Sequence, residues 1–180
     1  MKKLVAVLLI AVSSVSYGQM AEIGYNTMDI GGDFQWYKDG KFLGFHAAIN
    51  AKLHHSFHGA VGYYMAGNPT APFYTNQNKG GLGLGIGYRY YVLYKPHGFF
   101  IGVNTHLFTN KITLTAQTAE SYNSMIFIPS MQLGYMLLIN DMFFITPVAS
   151  AGYKTNLQSS MKTDKKKAVA LLGISSGIKF

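Results

Sequence analysis

Apolar residues occupy every second position through most of this chain, most clearly between Gly81 and Val92. One face of that run carries leucine, isoleucine, tyrosine and valine, and the other carries glycines, Arg89 and Tyr91. Successive side chains of a β-strand point to opposite faces, so the alternation predicts a strand with one apolar face. A helix would instead hold four glycines within seven residues, each about 1 kcal/mol less favourable than alanine.

The same alternation recurs in eight segments, each close to the roughly 9–11 residues that a tilted strand needs to cross a bilayer. After the first 18 residues the sequence has no run of about 20 apolar residues, so no membrane-spanning helix is predicted. The other way to satisfy backbone groups in lipid is a closed barrel. We therefore predict an all-β fold: an antiparallel, up-and-down transmembrane β-barrel of eight strands. The predicted strands are 28–37, 41–51, 56–66, 80–93, 98–109, 125–138, 142–154 and 168–180.

The predicted connections fall into a short set and a long set. Residues 52–55, 95–97 and 139–141 form tight turns on one side, and residues 66–79, 110–124 and 154–167 form long polar loops on the other. The first hairpin, through residues 38–40, is a short exception on the long-loop side. This asymmetry is typical of bacterial outer-membrane barrels, whose short turns are periplasmic. An even number of strands places both chain ends on the short-turn side.

The first residues have the features of a secretory signal. Lys2 and Lys3 precede an apolar run over residues 4–12, and small residues lie at positions −3 and −1 of a cut before Gln19. An uncleaved anchor is the alternative, but the apolar run is too short to span a bilayer comfortably. We expect a signal peptide over 1–18, a short periplasmic segment over 19–27 and a barrel over 28–180.

Composition narrows the class of partner. Charged residues make up only 12% of the chain and hydrophobic residues 49%, whereas globular proteins are about 25% charged. The formal net charge of +8 could suggest nucleic acid, but a secreted chain leaves the cytoplasm, so no nucleic-acid partner is expected. The absence of cysteine excludes disulfides, thiolate metal sites and a lipid-modified N-terminal cysteine.

Several motifs resemble small outer-membrane β-barrel proteins of the Bacteroidetes type, within the broad OmpA-like or porin-family group. The resemblance covers about residues 28–180 and implies an outer-membrane location, but it implies no particular activity. A terminal phenylalanine on an alternating strand also resembles the signal read by the barrel-assembly machinery. Because the sequence stops there, we expect no peptidoglycan-binding domain. The motifs are Gly81–Tyr91, Gly98–Gly102, Gly134-Tyr135 with 138–140, Phe144–Pro147, and Leu172-Gly173 leading to Phe180.

Polar side chains are predicted to face the barrel interior. Eight strands enclose a space just wide enough for side chains to fill. The favoured interpretation is therefore a packed polar core in which Arg89 pairs with Asp33 or Asp29, because an unpaired buried charge is costly. The proposed lumen network is Asp29, Asp33, His46, His58, Arg89, Asn104, His106 and Gln132. Gln35, Asn50, Ser130, Thr146, Ser150, Ser175 and Lys179 are also predicted to face inward.

A metal site and a lipid-modifying active site are the two chemical alternatives to this structural interpretation. A metal site could use His46, His54, His55 and His58, but adjacent residues of a strand point opposite ways, so no metal and no cofactor is predicted. A lipid-modifying enzyme of the outer leaflet would need a serine, a histidine and an acid near one rim. The candidate residues are His106 with Ser121, Ser124 and Glu120. Nothing in the spacing of these residues along the chain requires that they form a catalytic site, and we therefore predict that the protein is not an enzyme.

A lysine cluster lies in the last long loop, at Lys162, Lys165, Lys166 and Lys167. On the predicted topology it faces outward, where it could contact lipopolysaccharide phosphates; a solvated loop is the alternative. The predicted function is therefore a monomeric outer-membrane barrel of structural or surface-interaction type. A narrow channel or small hydrophobic-molecule binder, the enzyme above, and a soluble lipocalin-like barrel with its apolar face inward are the alternatives.

The first prediction concerns electrophoretic mobility. A closed lipid-facing barrel refolded in detergent should migrate differently before and after boiling, and it should leave membranes only with detergent. A protein that stays soluble without detergent and shows no mobility shift would contradict the membrane barrel and favour an internal ligand pocket.

Overall fold

The computed structural model describes residues 27–51, 54–67, 77–92, 97–114, 120–158 and 167–180. Every regular element in this part of the chain is a β-strand, and none of its residues belongs to a helix long and apolar enough to cross a membrane. The strands are β1 (Thr27–Tyr37), β2 (Gly40–Ala51), β3 (His55–Ala66), β4 (Gln77–Lys79), β5 (Gly81–Tyr91), β6 (Gly98–Leu114), β7 (Glu120–Ile139), β8 (Phe143–Gln158) and β9 (Lys167–Lys179).

The sheet is antiparallel throughout and closes on itself, because β1 pairs with both β2 and β9 and β6 pairs with β7. β4 and β5 both pair with β6, and the register shifts across Gly80: Lys79 pairs with Lys111, whereas Gly83 pairs with Phe108. They therefore act as one strand with an irregularity at Gly80. The wall has eight strands, and the predicted eight-stranded up-and-down barrel is confirmed.

The strand register sets the width of the barrel. A path that starts at Lys179 and passes once around the wall through directly paired residues ends at Val169, ten residues away on β9. Such a stagger tilts the strands by roughly 35–45° and, with eight strands, leaves an interior that side chains fill. The polar or apolar character of the lumen then depends on which side chains point inward.

Where the structure describes the side chains, the apolar face of the wall strands points outward. On β5 the residues at 82, 84 and 86 are exposed, and those at 83, 85 and 89 are buried. Phe45 and Ile86 leave 74% and 69% of their surface exposed, which is the orientation of a barrel whose outer face meets lipid. The soluble lipocalin-like alternative required the apolar face to point inward, and that alternative is wrong.

Two details of the sequence interpretation are resolved by the strand pairing. The register of β8 was ambiguous from the sequence; Phe143 and Ile145 face outward and Phe144 and Thr146 inward. The turn between β7 and β8 contains Asn140 and Asp141, both with positive φ, 52° and 55°. Two consecutive left-handed residues are the type I′ geometry that matches the twist of a tight hairpin.

The predicted long loops are shorter than the sequence indicated. Strands β6 and β7 continue through most of the predicted loop 110–124, and β8 extends to Gln158. The hydrophobic alternation stops near residue 109 because, beyond the apolar belt, neither face of these strands needs to be apolar. Backbone pairing between β6 and β7 continues as far as Leu114 and Glu120, and the pattern of side chains could not reveal it.

Glycine on the inward face of β5 makes room for aromatic rings in the lumen. A Cβ on Gly83 would lie 2.7 Å from Phe108 Cδ1 and 2.7 Å from Phe42 Cε2. Both rings are fully buried, so neither can move aside without disturbing its neighbours. The inward glycines of β5, such as Gly83, thus leave the space that large side chains of β2 and β6 occupy.

A substitution at this stripe should be destabilising. We expect Gly83→Ala to lower the free energy of unfolding by about 1–3 kcal/mol, the usual cost of overpacking. Gly32→Ala is the matched control, since a Cβ at this outward-facing glycine meets nothing within 4 Å. Urea unfolding in detergent, followed by the fluorescence of Trp36, the only tryptophan of the sequence, would measure both. Equal stability of the two variants would contradict the close packing at Gly83.

Candidate functional site: the barrel lumen

An apolar cluster fills the lumen at the end where the long loops emerge. This loop-end cluster centres on Tyr37, Phe42, Tyr64 and Phe108, and Ile126, Ile128, Leu171 and Ala60 complete it. The rings of Tyr64 and Phe108 stack at 4.5 Å between centroids, and Tyr37 meets both edge-on, at 5.8 and 5.4 Å. Such geometries are favourable beyond the buried area alone, so this end of the lumen is closed by packed rings.

A second apolar cluster fills the lumen at the short-turn end. This turn-end cluster consists of Tyr91, Phe100, Met136 and Phe144, all essentially inaccessible. The rings of Tyr91 and Phe100 lie 5.3 Å apart, and the Tyr91 hydroxyl is 3.8 Å from the sulfur of Met136. No motif marks these four residues as a site; the only signal in the sequence is that each occupies an inward position of its strand, on β5, β6, β7 and β8.

Between the two clusters lies a polar layer. All eight residues of the proposed lumen network are buried inside the barrel: Asp29, Asp33, His46, His58, Arg89, Asn104, His106 and Gln132. Asn50, Ser130, Thr146, Ser175 and Lys179 are buried as well, whereas Gln35 and Ser150 are half-buried. Most of these polar side chains lie between the two ring clusters, whereas Asp29 and Lys179 lie beside the turn-end cluster and His106 lies beside the loop-end cluster.

The carboxylates of this layer are bound across the seam between β1 and β9. Asp29 forms an ion pair with Lys179, with 3.4 Å between Oδ1 and Nζ. Asp33 accepts hydrogen bonds from the Gln35 amide at 2.8 Å and from the Ser175 hydroxyl at 3.2 Å. Asp29 and Lys179 are directly paired residues, so strand closure itself brings the two charges together.

The expected ion pair of Arg89 with Asp33 or Asp29 is wrong. Within the described residues, no carboxylate oxygen lies within 4.0 Å of the Arg89 guanidinium. The guanidinium carbon instead lies 4.9 Å from the centroid of the Phe100 ring, a cation–π distance. The sequence could not show that Asp29 already has a nearer cation, because β1 and β9 stand at opposite ends of the chain.

The buried histidines lie against rings and amides. His106 stacks on Phe108 at 5.5 Å and lies 3.3 Å from the Asn104 side chain. His46 meets the ring of Phe144 edge-on at 5.6 Å. His106 is therefore enclosed at the loop-end cluster. Over the described ranges, no three or more histidine and acidic side chains are placed to hold a metal ion.

A small cavity lies among the described side chains of the polar layer. Arg89, Asn104, Gln132 and Asp33 border a cavity of about 10 Å³, which corresponds to about one water molecule. The charges of Asp29 and Asp33 are balanced by those of Lys179 and Arg89. In the described part of the chain, the lumen is therefore occupied by a charge-balanced polar layer and two apolar clusters.

Other predicted site residues lie at the outer rim or outside the described part. Lys154 contacts Asp39 at 3.3 Å across this rim. Lys167 is exposed and pairs with Lys154 in the register. Ser124 is buried. Lys162, Lys165 and Lys166 lie outside the described residues, as do the signal peptide and residues 19–26.

The ion pair at the seam leads to a testable expectation. Lys179→Met should lower the free energy of unfolding by about 3–5 kcal/mol, because it leaves a buried carboxylate without a partner. The double variant Lys179→Met with Asp29→Asn should recover much of this loss, since no unpaired charge remains. Urea unfolding of the two single variants and the double variant would give the coupling. Additive losses would show that the two charges do not interact.

No known protein family and no curated protein sequence matches this chain. Solved structures do match. The N-terminal β-barrel domain of Pseudomonas aeruginosa OprF is 15% identical with a TM-score of 0.51, covering 87% of this chain and 99% of that domain. Ail, the attachment invasion locus protein of Yersinia pestis, in complex with the heparin analogue sucrose octasulfate, is 10% identical with a TM-score of 0.53, covering 88% of this chain and 100% of Ail.

At these identities the similarity concerns the fold alone. Both matches extend over almost the whole length of the other barrel, so the similarity concerns the barrel fold as a whole. The outward apolar face and the polar interior agree with it. The chain therefore has the fold of an outer-membrane β-barrel, and this fold points to an outer-membrane location.

Proposed function

We propose that this protein is an outer-membrane barrel of structural or surface-interaction type that conducts neither ions nor solutes and catalyses no reaction. The observation that carries the proposal is the closure of the lumen at both ends by buried rings. Phe108 and Tyr64 close the loop end, and Phe100 and Phe144 close the turn end. Interaction with the surroundings is then left to the outer wall and to the loops.

The proposal includes export and assembly. The leader directs the chain across the inner membrane and is removed before Gln19, and the barrel-assembly machinery recognises the last strand. The position of Phe180 supports this role: its N–H donates to the carbonyl oxygen of Met28 at 2.8 Å, and the N–H of Met28 donates back at 3.1 Å. The terminal residue thus takes part in closing the seam, the final step in forming a barrel without edges.

The loop end is proposed to face the exterior, as in barrels with short periplasmic turns. Lys162, Lys165, Lys166 and Lys167 would contact lipopolysaccharide phosphates there. The Lys154–Asp39 pair supports a charged rim at this height. The monomer needs no partner to close its sheet, since all eight wall strands are paired within one chain. The narrow channel, which needs an open lumen, is disfavoured by the two ring clusters.

Electrical recording tests the central point. The mature chain from Gln19, inserted into a planar lipid bilayer, should give no stepwise conductance, because an ion would have to cross two apolar ring clusters and a filled polar layer. An open general porin in the same membrane is the positive control. Reproducible conductance steps from the heat-modifiable, folded protein would overturn the proposal and favour the channel.

A further inference from the structure

A groove runs along the outer wall at the strands β2, β3, β5 and β6, with a volume of about 710 Å³. Its floor contains Gly59 and Ala47, which are directly paired across β2 and β3. Its sides are the exposed apolar side chains of Ile49, Phe57 and Ile86. A Cβ at Gly59 would meet only the Gly85 carbonyl oxygen, at 3.8 Å, so the groove is deepest where the side chain is missing.

A second groove lies beside the first, with a volume of about 550 Å³. Ala149 and Ala151 of β8 form its floor, and larger apolar residues such as Met131 and Leu133 form its sides. The lining of both grooves includes Tyr88 and Val103, which are directly paired on β5 and β6. Those two residues therefore form a ridge between two neighbouring apolar grooves.

The ridge ends in a polar group on the short-turn side. The Tyr88 hydroxyl lies 2.6 Å from Nδ1 of His55, and the ring of His54 stacks on Tyr90 at 5.2 Å. An imidazole carries at least one N–H and a phenol one O–H. Their shared hydrogen bond uses one of these protons, so the His55–Tyr88 pair retains a donor for a phosphate or ester oxygen. Histidine and tyrosine of this kind suit the membrane–water interface.

We propose that the two grooves bind the two acyl chains of one diacyl phospholipid of the periplasmic leaflet, whose phosphate or ester oxygens meet the His55–Tyr88 pair. Two separate chains joined at one polar head match two apolar grooves separated by a ridge that ends in a polar group. A second barrel fits less well, because a rigid protein wall has no pair of flexible apolar chains that could enter both grooves. The orientation of the leaflet rests on the proposed function, whereas lipid binding itself does not.

Because bulk lipid and detergent compete for the same grooves, the gain comes from close packing and the headgroup contact rather than from removal of apolar surface from water. Filling a groove should therefore weaken binding by about tenfold, which corresponds to about 1.4 kcal/mol. Gly59→Leu fills the first groove and Ala149→Leu the second. Gly32→Leu is the matched control: it also adds an outward side chain to a glycine, but Gly32 pairs with Phe45 and Ser176, away from both grooves.

Native mass spectrometry of the full mature chain in detergent, titrated with phosphatidylethanolamine and with its single-chain lyso form, measures the binding. We expect one diacyl lipid per barrel, weaker binding of the lyso form, and about tenfold loss in Gly59→Leu and Ala149→Leu but not in Gly32→Leu. The heat-dependent mobility shift identifies folded variants. Equal binding by all variants, equal binding of the lyso form, or occupation by a second copy would each overturn the proposal. A conducting barrel that still binds the lipid would refute only the proposed function.

Discussion

Every backbone N–H and C=O in a lipid-facing wall needs a partner within the protein, because lipid offers none. In this chain that requirement is met by closing the sheet, and closure depends on pairing β1 with β9. The hydrogen bonds between Met28 and Phe180 complete that pairing at the last residue of the chain. The same seam brings Lys179 to Asp29 and Ser175 to Asp33. Closure of the backbone therefore also gives one buried carboxylate a cation and another a hydrogen-bond donor.

The register that closes the wall also decides what the interior can hold. Eight strands with a ten-residue stagger leave a lumen one or two side chains wide. Aromatic and other apolar side chains fill the two ends of this lumen, and charge-balanced polar side chains lie between them. At Gly83 the absence of a side chain leaves the space that the rings of Phe42 and Phe108 occupy. In this narrow lumen the guanidinium of Arg89 makes a cation–π contact with the Phe100 ring instead of an ion pair with a carboxylate.

The surface of the outer wall is grooved, although contact with lipid requires only that this surface be apolar. Small residues at Gly59 and Ala149 lie among large exposed ones and produce two grooves on either side of Tyr88. A smooth apolar wall would contact lipid equally well, so the grooves and the His55–Tyr88 pair at their end mark one position on this side of the barrel. The described lumen is occupied by side chains, whereas the outer wall carries two grooves, and the proposed lipid contact uses those grooves.

The amino-acid sequence by itself determined the strands, their number, the short and long sides and the inward or outward parity of nearly every wall residue, because a period of two is a local property. The alternation alone therefore assigns Asp29, His46 and Arg89 to the interior of the barrel. Tertiary structure alone decided the rest: that Lys179 is the partner of Asp29, that β6 and β7 continue past the apolar belt, and that Gly59 and Ala149 form the floors of two neighbouring grooves. Each of these depends on register between strands distant in the chain. Register is set by closure of the whole wall, which no single stretch of residues contains.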